Sequence, residues 1–319
     1  MTAATVASRT GDPVPLAASA ALIGVDWGTT HARAFLIGGN GEVLATRASA
    51  QGLTRLAGRS FDAALDDLLG DWRDASLPRI ACGMVGSRNG WIEVPYVALP
   101  ATLDELARGI GRTPGGELAI VPGVQGRDAS GAPDVMRGEE TELFGTDDAD
   151  APRTLFVLPG THAKWVDARE GRIEGFATFM TGEIYAVMLE HSILGRLAAR
   201  DGNADVDGAA FVRGVASGLG DGALAHDLFT ARTLVLAGEM AGADVAGFLS
   251  GLLIGREVRD GTRWAASRGI GVASAVVVGA DALAARYMTA LGHAGIAARR
   301  APAAAPRGLW RIARAAALV

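Results

Sequence analysis

The amino-acid sequence predicts an α/β fold of two domains around a central cleft. Three observations carry that expectation. At 319 residues the chain is about twice the length of a typical domain. A unit of strand, glycine–hydroxyl turn and strand occurs twice, around Gly28 and around Gly160, each time opening an α/β half. Between the halves, Asp147–Pro152 forms an acidic, proline-bearing break. The expected boundaries are a disordered tail over 1–20, a first domain over 21–150 that the C-terminal helix at 305–319 rejoins, and a second domain over 151–304.

Order begins near Ala21. Leu22–Asp26 is a short apolar run, and Ala32–Ile37 and Glu42–Ala48 follow as strands across glycine-rich turns, giving an antiparallel meander. Phe61–Trp72 carries apolar residues at helical spacing. Arg79–Met84 and Leu118–Val121 read as strands, Thr102–Gly109 and Glu139–Gly145 as helices. The pattern then restarts, with strands at Arg153–Leu158, Ala163–Asp167 and Ile173–Met180. Helices dominate afterwards, at Glu183–Ala199, Gly208–Ser217, Ala223–Thr230 and Ala243–Arg259. A strand at Ala275–Val278, a helix at Asp281–Leu291 and an amphipathic helix at Leu309–Leu318 close the chain.

Composition excludes several function classes. A net charge of −5 leaves no electrostatic footprint for nucleic acid, which demands a basic patch or stripe. Cys82 is the only cysteine, so neither an intrachain disulfide nor a cysteine metal cage can form. The five histidines lack zinc-ligand spacing, and no apolar run approaches the length of a membrane span. The first twenty residues lack the basic start and compact apolar stretch of a secretion signal. The expected compartment is the cytoplasm, with no membrane partner, and a homodimer is compatible with this reading.

Among the 30 Lys and Arg residues a single one, Lys164, is lysine. A coding bias toward arginine explains the surplus and singles out the exception, because a compact point charge and a planar fork are not interchangeable.

Four constellations can carry chemistry. In Asp26-Trp27-Gly28-Thr29-Thr30 the glycine lets backbone amides approach a phosphate and the hydroxyls add donors. Asp26 would act on phosphate through Mg²⁺ and its waters. Alone, this stretch reads equally as an ordinary β-hairpin. Leu158-Pro159-Gly160-Thr161-His162-Ala163-Lys164 repeats the turn, with the lone lysine on the exit strand, and two such turns facing each other would clamp a polyphosphate. His162 by itself reads as a turn residue satisfied by backbone, and whether it touches substrate stays open. Neither half holds the phosphate loop G-x-x-x-x-G-K, since the only lysine is Lys164, nor the dinucleotide motif G-x-G-x-x-G after the first strand.

The third is Met136–Glu142, at a helix start. Carboxylates suit that end of a helix dipole, and one of them aimed into the cleft would equally serve as a general base. Arg137 beside them can hold a substrate carboxylate in its fork. The fourth is Gly83–Trp91, a glycine-punctuated loop after a strand, in the position where α/β folds bind ligands; a plain connector is the competing reading. Met180-Thr181-Gly182-Glu183 is a similar strand-to-helix corner, and Val276–Gly279 with the following helix can cradle a nucleoside.

In order and approximate spacing, the motifs Asp26–Thr30, Gly83–Ser87, Arg137–Thr141, Pro159–Trp165, Met180–Glu183 and Phe248–Gly255 resemble those of the 2-keto-3-deoxygalactonate kinase (2-dehydro-3-deoxygalactonokinase) family. The resemblance runs from about residue 22 to the C-terminus. It implies a two-domain actin/hexokinase-like (ribonuclease H-like) fold and an ATP- and Mg²⁺-dependent kinase of galactonate breakdown. Such an enzyme phosphorylates the 6-hydroxyl of 2-dehydro-3-deoxy-D-galactonate. Carried onto this chain, it makes Asp26 the organiser of Mg²⁺. It gives phosphate to Gly28, Thr29 and Thr30 and, from the other domain, to Gly160 and Thr161, and sets Gly279 and Ala280 against adenosine.

Catalysis is expected from Glu139, Glu140 and Lys164, and substrate contacts from Arg33, Gly86, Ser87, Arg88, Arg137, His162 and Glu183. Related sugar kinases place an aspartate as the base where this chain has Glu139 and Glu140, so the geometry must shift by about 1.5 Å, one carbon–carbon bond. Glu139 is the preferred base and Glu140 stays open. The alternatives are a kinase of another sugar acid such as 2-keto-3-deoxygluconate, a nucleotide-gated regulator, or a phosphohydrolase of the same fold.

Overall fold

The structure, a computed structural model, describes residues 19–128, 130–196 and 208–319. The expected tail up to residue 18, and the end of the helix expected to reach Ala199, lie outside the described residues. The first half contains β1 (Ala20–Trp27), β2 (Ala32–Gly38), β3 (Val43–Ser49), α1 (Phe61–Leu69) and β4 (Arg79–Gly83). Next come β5 (Val97–Ala98), β6 (Ala101–Thr102), α2 (Leu103–Arg108), β7 (Gly111–Arg112) and β8 (Ala119–Ile120). The half closes with β9 (Val124–Arg127), β10 (Pro133–Met136) and α3 (Glu139–Gly145).

In the second half β11 (Thr154–Leu158), β12 (Ala163–Arg169) and β13 (Arg172–Phe179) precede α4 (Thr181–His191). Then follow α5 (Ala209–Leu219), α6 (Leu224–Leu236), α7 (Val245–Ser267), β14 (Ser274–Val278), α8 (Asp281–His293), β15 (Ala297–Ala301) and α9 (Ala305–Ala315).

The echo seen in the sequence extends through five strands. The first sheet runs β3-β2-β1-β4-β8-β7 and the second β15-β14-β11-β12-β13-β6. In each, an antiparallel meander (β1–β3, β11–β13) is extended on the side of its first strand by parallel strands, β4 and β8 or β14 and β15. Strands covered on both faces read as continuous apolar runs, and in β1 Leu22, Ile23, Val25 and Trp27 are all buried. Leu65, Leu68 and Leu69 of α1 cover one face, and Ser60 caps that helix by accepting from Ala63 N–H at 3.2 Å. Leu309, Ile312 and Ala313 of α9 cover the other face, in a core that continues through Phe144 to Phe156, Val166 and Val276 of the second half.

Several expected boundaries move. The helix expected from Glu183 starts at Thr181 and stops at His191, α6 runs on to Leu236, and α7 spans Val245–Ser267. Apolar spacing continues past the polar residues at which the sequence reading stopped. The close crossing of α7 with α5 explains Phe248–Gly255, since a Cβ on Gly251 would stand 2.0 Å from Phe211 O. The closing helix begins at Ala305, as the expected domain boundary has it and ahead of the amphipathic run read from Leu309, where the Glu142 carboxylate takes the Ala304 N–H at 2.7 Å from a distant part of the chain. Short strands β5, β6, β7, β9, β10 and β15 went unread. β15, with the sequence AARRA, has little strand propensity of its own and owes its form to pairing with β14.

Candidate active site

The first turn sits at the end of β1. Gly28 N–H donates to His31 O at 2.9 Å, closing the hairpin, and Thr29 O accepts from Thr54 N–H and its hydroxyl at 3.0 and 2.9 Å. Thr29 and Thr30 are exposed. Asp26 Oδ2 takes Arg33 Nη2 at 2.6 Å and Nε at 3.2 Å. Its Oδ1 faces the buried Cys82 thiol 4.0 Å away. Arg33 also stands 3.9 Å from Glu142, whose carboxyl is pushed above its ordinary value by burial. The structure thus lays Arg33 over Asp26 and Glu142.

The parallel pairing of β1 with β4 puts Trp27 beside Gly83. A side chain on Gly83 would stand 2.7 Å from Trp27 O, in a backbone conformation (φ +90°) that L-residues avoid. Gly138, just before α3, rests against Gly83 in turn, with its own Cβ position 3.4 Å away. This stack brings the adjacent carboxylates of α3 to the first turn.

The two carboxylates diverge. Glu140 is fully buried, accepting from Gly138 N–H at 2.7 Å and the Thr141 hydroxyl at 3.0 Å. Burial first, and then the Glu139 charge, raise its pKa to about 7. Glu139 is partly exposed; its Oε2 takes Arg137 N–H at 2.9 Å, and its Oε1 pairs with Lys164 Nζ at 3.1 Å. The lone lysine and the preferred base are therefore in direct contact across the two halves. Lys164 is almost wholly buried and also donates to His162 O at 2.9 Å.

Around the second turn, Gly182 packs so tightly that a Cβ there would stand 2.4 Å from Gly160 O. Glu183 N–H donates to Thr161 O at 3.0 Å. His162 Nε2 and Glu183 Oε2 are 2.5 Å apart, so these two residues partner each other. Gly279 lies at the carboxyl end of β14 next to Pro159, 3.7 Å from its Cβ position, and Ala280 begins the turn into α8. A continuous run of contacts thus joins both turns, the carboxylates, Lys164 and the Gly279 segment. The cavity lined by Arg153, Thr154, Ser274 and Ala297 opens at the opposite, amino ends of β11, β14 and β15, away from the strand ends where α/β folds bind ligands.

A further group surrounds Arg137. Its guanidinium lies over the Tyr96 ring at 4.3 Å, its Nη2 donates to Val94 O at 2.8 Å, and its Nε and Nη1 are buried without an acceptor. The Ser87 hydroxyl is also buried and without a partner, and a Cβ on Gly86 would meet Arg137 Nη1 at 2.9 Å. Arg88, next to Ser87 in the chain, is exposed. Tyr96 and Val94 were missed by sequence reasoning: nothing in the local pattern announces that this segment folds over an arginine some forty residues on.

Among the described residues no cluster of three or more His, Cys, Asp or Glu side chains could hold an ion. Mg²⁺ binds through one or two carboxylates, waters and substrate phosphates, and Asp26 Oδ1, 4.0 Å from the Cys82 thiol, is a hard oxygen of that kind.

Comparison with known proteins shows the family and the fold. The family model for 2-keto-3-deoxy-galactonokinase matches residues 26–312. A Rhizobium meliloti (strain 1021) protein named as a probable 2-dehydro-3-deoxygalactonokinase is 40% identical over 300 residues, covering 90% of this chain and 96% of its own. The 2-dehydro-3-deoxygalactonokinase of Escherichia coli (strain K12) is 40% identical over 241 residues, covering 75% and 80%. A solved structure described as a 2-dehydro-3-deoxygalactonokinase protein from Sinorhizobium meliloti superposes with TM-score 0.84 at 40% identity, covering 92% of this chain and 98% of that one. The activator of 2-hydroxyisocaproyl-CoA dehydratase from Clostridium difficile shares the fold at 11% identity and TM-score 0.52, over 92% and 95% of the two chains. The expected actin/hexokinase-like fold is the one observed.

Proposed function

The chain belongs to the 2-keto-3-deoxy-galactonokinase family and is a sugar-acid kinase, and from that premise we propose how its residues carry the reaction. ATP donates its γ-phosphoryl group to the 6-hydroxyl of 2-dehydro-3-deoxy-D-galactonate, giving the 6-phosphate and ADP. The observation that carries this reading is the buried Arg137 with two donor nitrogens lacking acceptors, beside a Ser87 hydroxyl in the same condition. A buried unmatched donor costs roughly 1–3 kcal/mol, more when charged. A substrate carboxylate would satisfy these donors at once.

In the proposed roles Glu139 takes the proton of the attacking hydroxyl. Its oxygens already accept from Arg137 N–H and Lys164, but each carboxylate oxygen has two lone pairs, so a third donor can be received. The same amide bond ties the base to the residue that reads the carboxylate. Lys164 neutralises charge developing on the transferring group, as do the amides and hydroxyls of Gly28–Thr30 and Gly160–Thr161. Glu140, sealed off and bonded to Gly138 and Thr141, holds the start of α3 in place. Asp26 would hold Mg²⁺, with Arg33 yielding the carboxylate. Bound there, the ion would supply positive charge to offset that of the phosphates. His162 and Glu183 face substrate as a pair, and Gly279 and Ala280 line the adenosine side.

We read 21–150 together with the C-terminal helix as one lobe and 151–304 as the other, closing to exclude water from the transfer. The proposed compartment is the cytoplasm; among the described residues no helix is long and apolar enough to cross a membrane.

The test is a coupled ADP-release assay with MgATP and 2-keto-3-deoxygalactonate, 2-keto-3-deoxygluconate or no acceptor. Turnover chiefly with the galactonate derivative is expected. Equal turnover on the gluconate derivative would reassign the substrate, and ADP release independent of acceptor would make the protein a hydrolase.

A further inference from the structure

Glu257 lies in the middle of α7, almost fully buried, and no role in the reaction has fallen to it. Its Oε1 accepts the Trp165 indole N–H at 2.9 Å and its Oε2 the Tyr287 hydroxyl at 2.6 Å. Thr181 is a further polar neighbour that acts on its carboxyl. These residues come from three different elements. Trp165 follows Lys164 on β12, directly after the second turn. Thr181 opens α4, whose next residue, Gly182, is pressed against Gly160. Tyr287 belongs to α8, the helix that leaves the Gly279 segment. One turn further along α7, Gly261 lies flat against the Trp165 ring, with its Cβ position 2.3 Å from the indole, so the indole is held both by its N–H and by its face.

We propose that Glu257 is a positioning residue for the nucleotide half of the site, locking the second phosphate turn, Lys164 and the adenosine segment into one geometry. The inference rests on the kinase reading above. A carboxylate buried among apolar residues is costly, and a Leu or Met of similar volume would fill the same space at less cost. What an apolar residue cannot do is accept from donors on β12 and α8 at once, next to the start of α4. Burial lifts the Glu257 carboxyl to about 7, while Thr181, the bonds from Tyr287 and Trp165 and the charge of Lys164 pull the other way. Lys164 thus lies in the field of two carboxylates, Glu139 in direct contact and Glu257 behind it. Small errors here matter, because misplacing a phosphate-binding group by about 1 Å can cost on the order of a hundredfold in rate.

The experiment uses the full chain and two variants, Glu257→Gln and Tyr287→Phe. MgADP affinity is measured by calorimetry without acceptor, alongside kcat and both KM values. Glu257→Gln leaves at least one of the two donors without an acceptor, and is expected to weaken MgADP binding about tenfold and lower kcat, with KM for the sugar acid within twofold. Tyr287→Phe is expected to weaken MgADP about threefold, and it decides the matter if the Gln variant fails to fold. Wild-type nucleotide affinity in a folded variant would overturn the proposal. So would equal losses toward nucleotide and sugar acid, which mark a general structural role. Failure of the kinase reading looks different: wild-type protein that binds MgADP but turns over no sugar acid.

Discussion

Lys164 illustrates how residue-scale chemistry sorts the candidates. A buried ammonium needs partners, and this one has the Glu139 carboxylate at 3.1 Å and His162 O at 2.9 Å. Arginine, used almost everywhere else in the chain, would be too broad for a pocket in which Lys164 is 3% exposed. Lys164→Arg is therefore expected to lower kcat by roughly 10²–10³, the loss typical of a transition-state donor, and steady-state kinetics would show whether it does. Arg137 should behave differently. Arg137→Lys keeps the charge but loses the planar fork stacked on Tyr96. It is expected to raise KM for the sugar acid at least tenfold while KM for ATP stays within twofold. A rise in both would mean that Arg137 supports the fold and does not read the carboxylate. Lys164 and the Glu139–Glu140 pair stand out in the sequence because composition and adjacency are local properties. The partners of Arg137 were not, since Val94 and Tyr96 reach it through tertiary contacts that leave no periodic trace.

Elements reached the right places largely through their turns. Both glycine–hydroxyl turns and the α3 start stand where the sequence put them, because each is announced by residues with special backbone needs. The helix ends were less legible. Glu142 serves α9 from 162 positions away along the chain, and a cap of that kind cannot be seen in a window of neighbours. The unread strand β6 joins the edge of the second sheet beside β13, where two residues gain strand form only from their partner. The α4 start offers the sharpest test. Met180 gives that helix no side-chain cap, so its position depends on Gly182 against the second turn. Gly182→Ala would place a methyl group 2.4 Å from Gly160 O, and backbone cannot yield as a flexible side chain does. The expected result is at least a tenfold fall in kcat/KM for ATP, with a loss of roughly 1–3 kcal/mol in stability from overpacking. Unchanged ATP kinetics would show that the turn tolerates displacement and that α4 does not set it.

Across the whole molecule the sequence foretold two α/β halves but not the core they share, which runs from Leu22 and Phe144 to Phe156 and Val276. Contacts between segments so far apart in the chain have no signature in either half alone. The same compactness buries one acid in each half beyond the reach of water, Glu140 in the first and Glu257 in the second, and burial lifts both to about 7 from an ordinary 4.5. The sign of the consequence follows from proton linkage. Between about 4.5 and 7 the folded protein binds more protons at these two sites than the unfolded chain does. Stability from this source is therefore full below about pH 4.5 and is lost as pH rises through 7. Each group contributes a slope of up to about 1.4 kcal/mol per pH unit within that window. Asp71, Asp128 and Asp147 are exposed and held low, chiefly by bonds from Arg47, Ser130 and Arg307 respectively. Their influence falls below about pH 4, outside the same window. Urea unfolding at pH 5.5, 6.5 and 7.5 should thus give falling midpoints at constant m-value. Glu140→Gln should make the decline shallower, because a neutral amide at that position no longer titrates, while Glu257 and the raised Glu142 still do. A wild-type midpoint that holds level or climbs over this range would mean that both carboxyls ionise in the fold as readily as in the open chain.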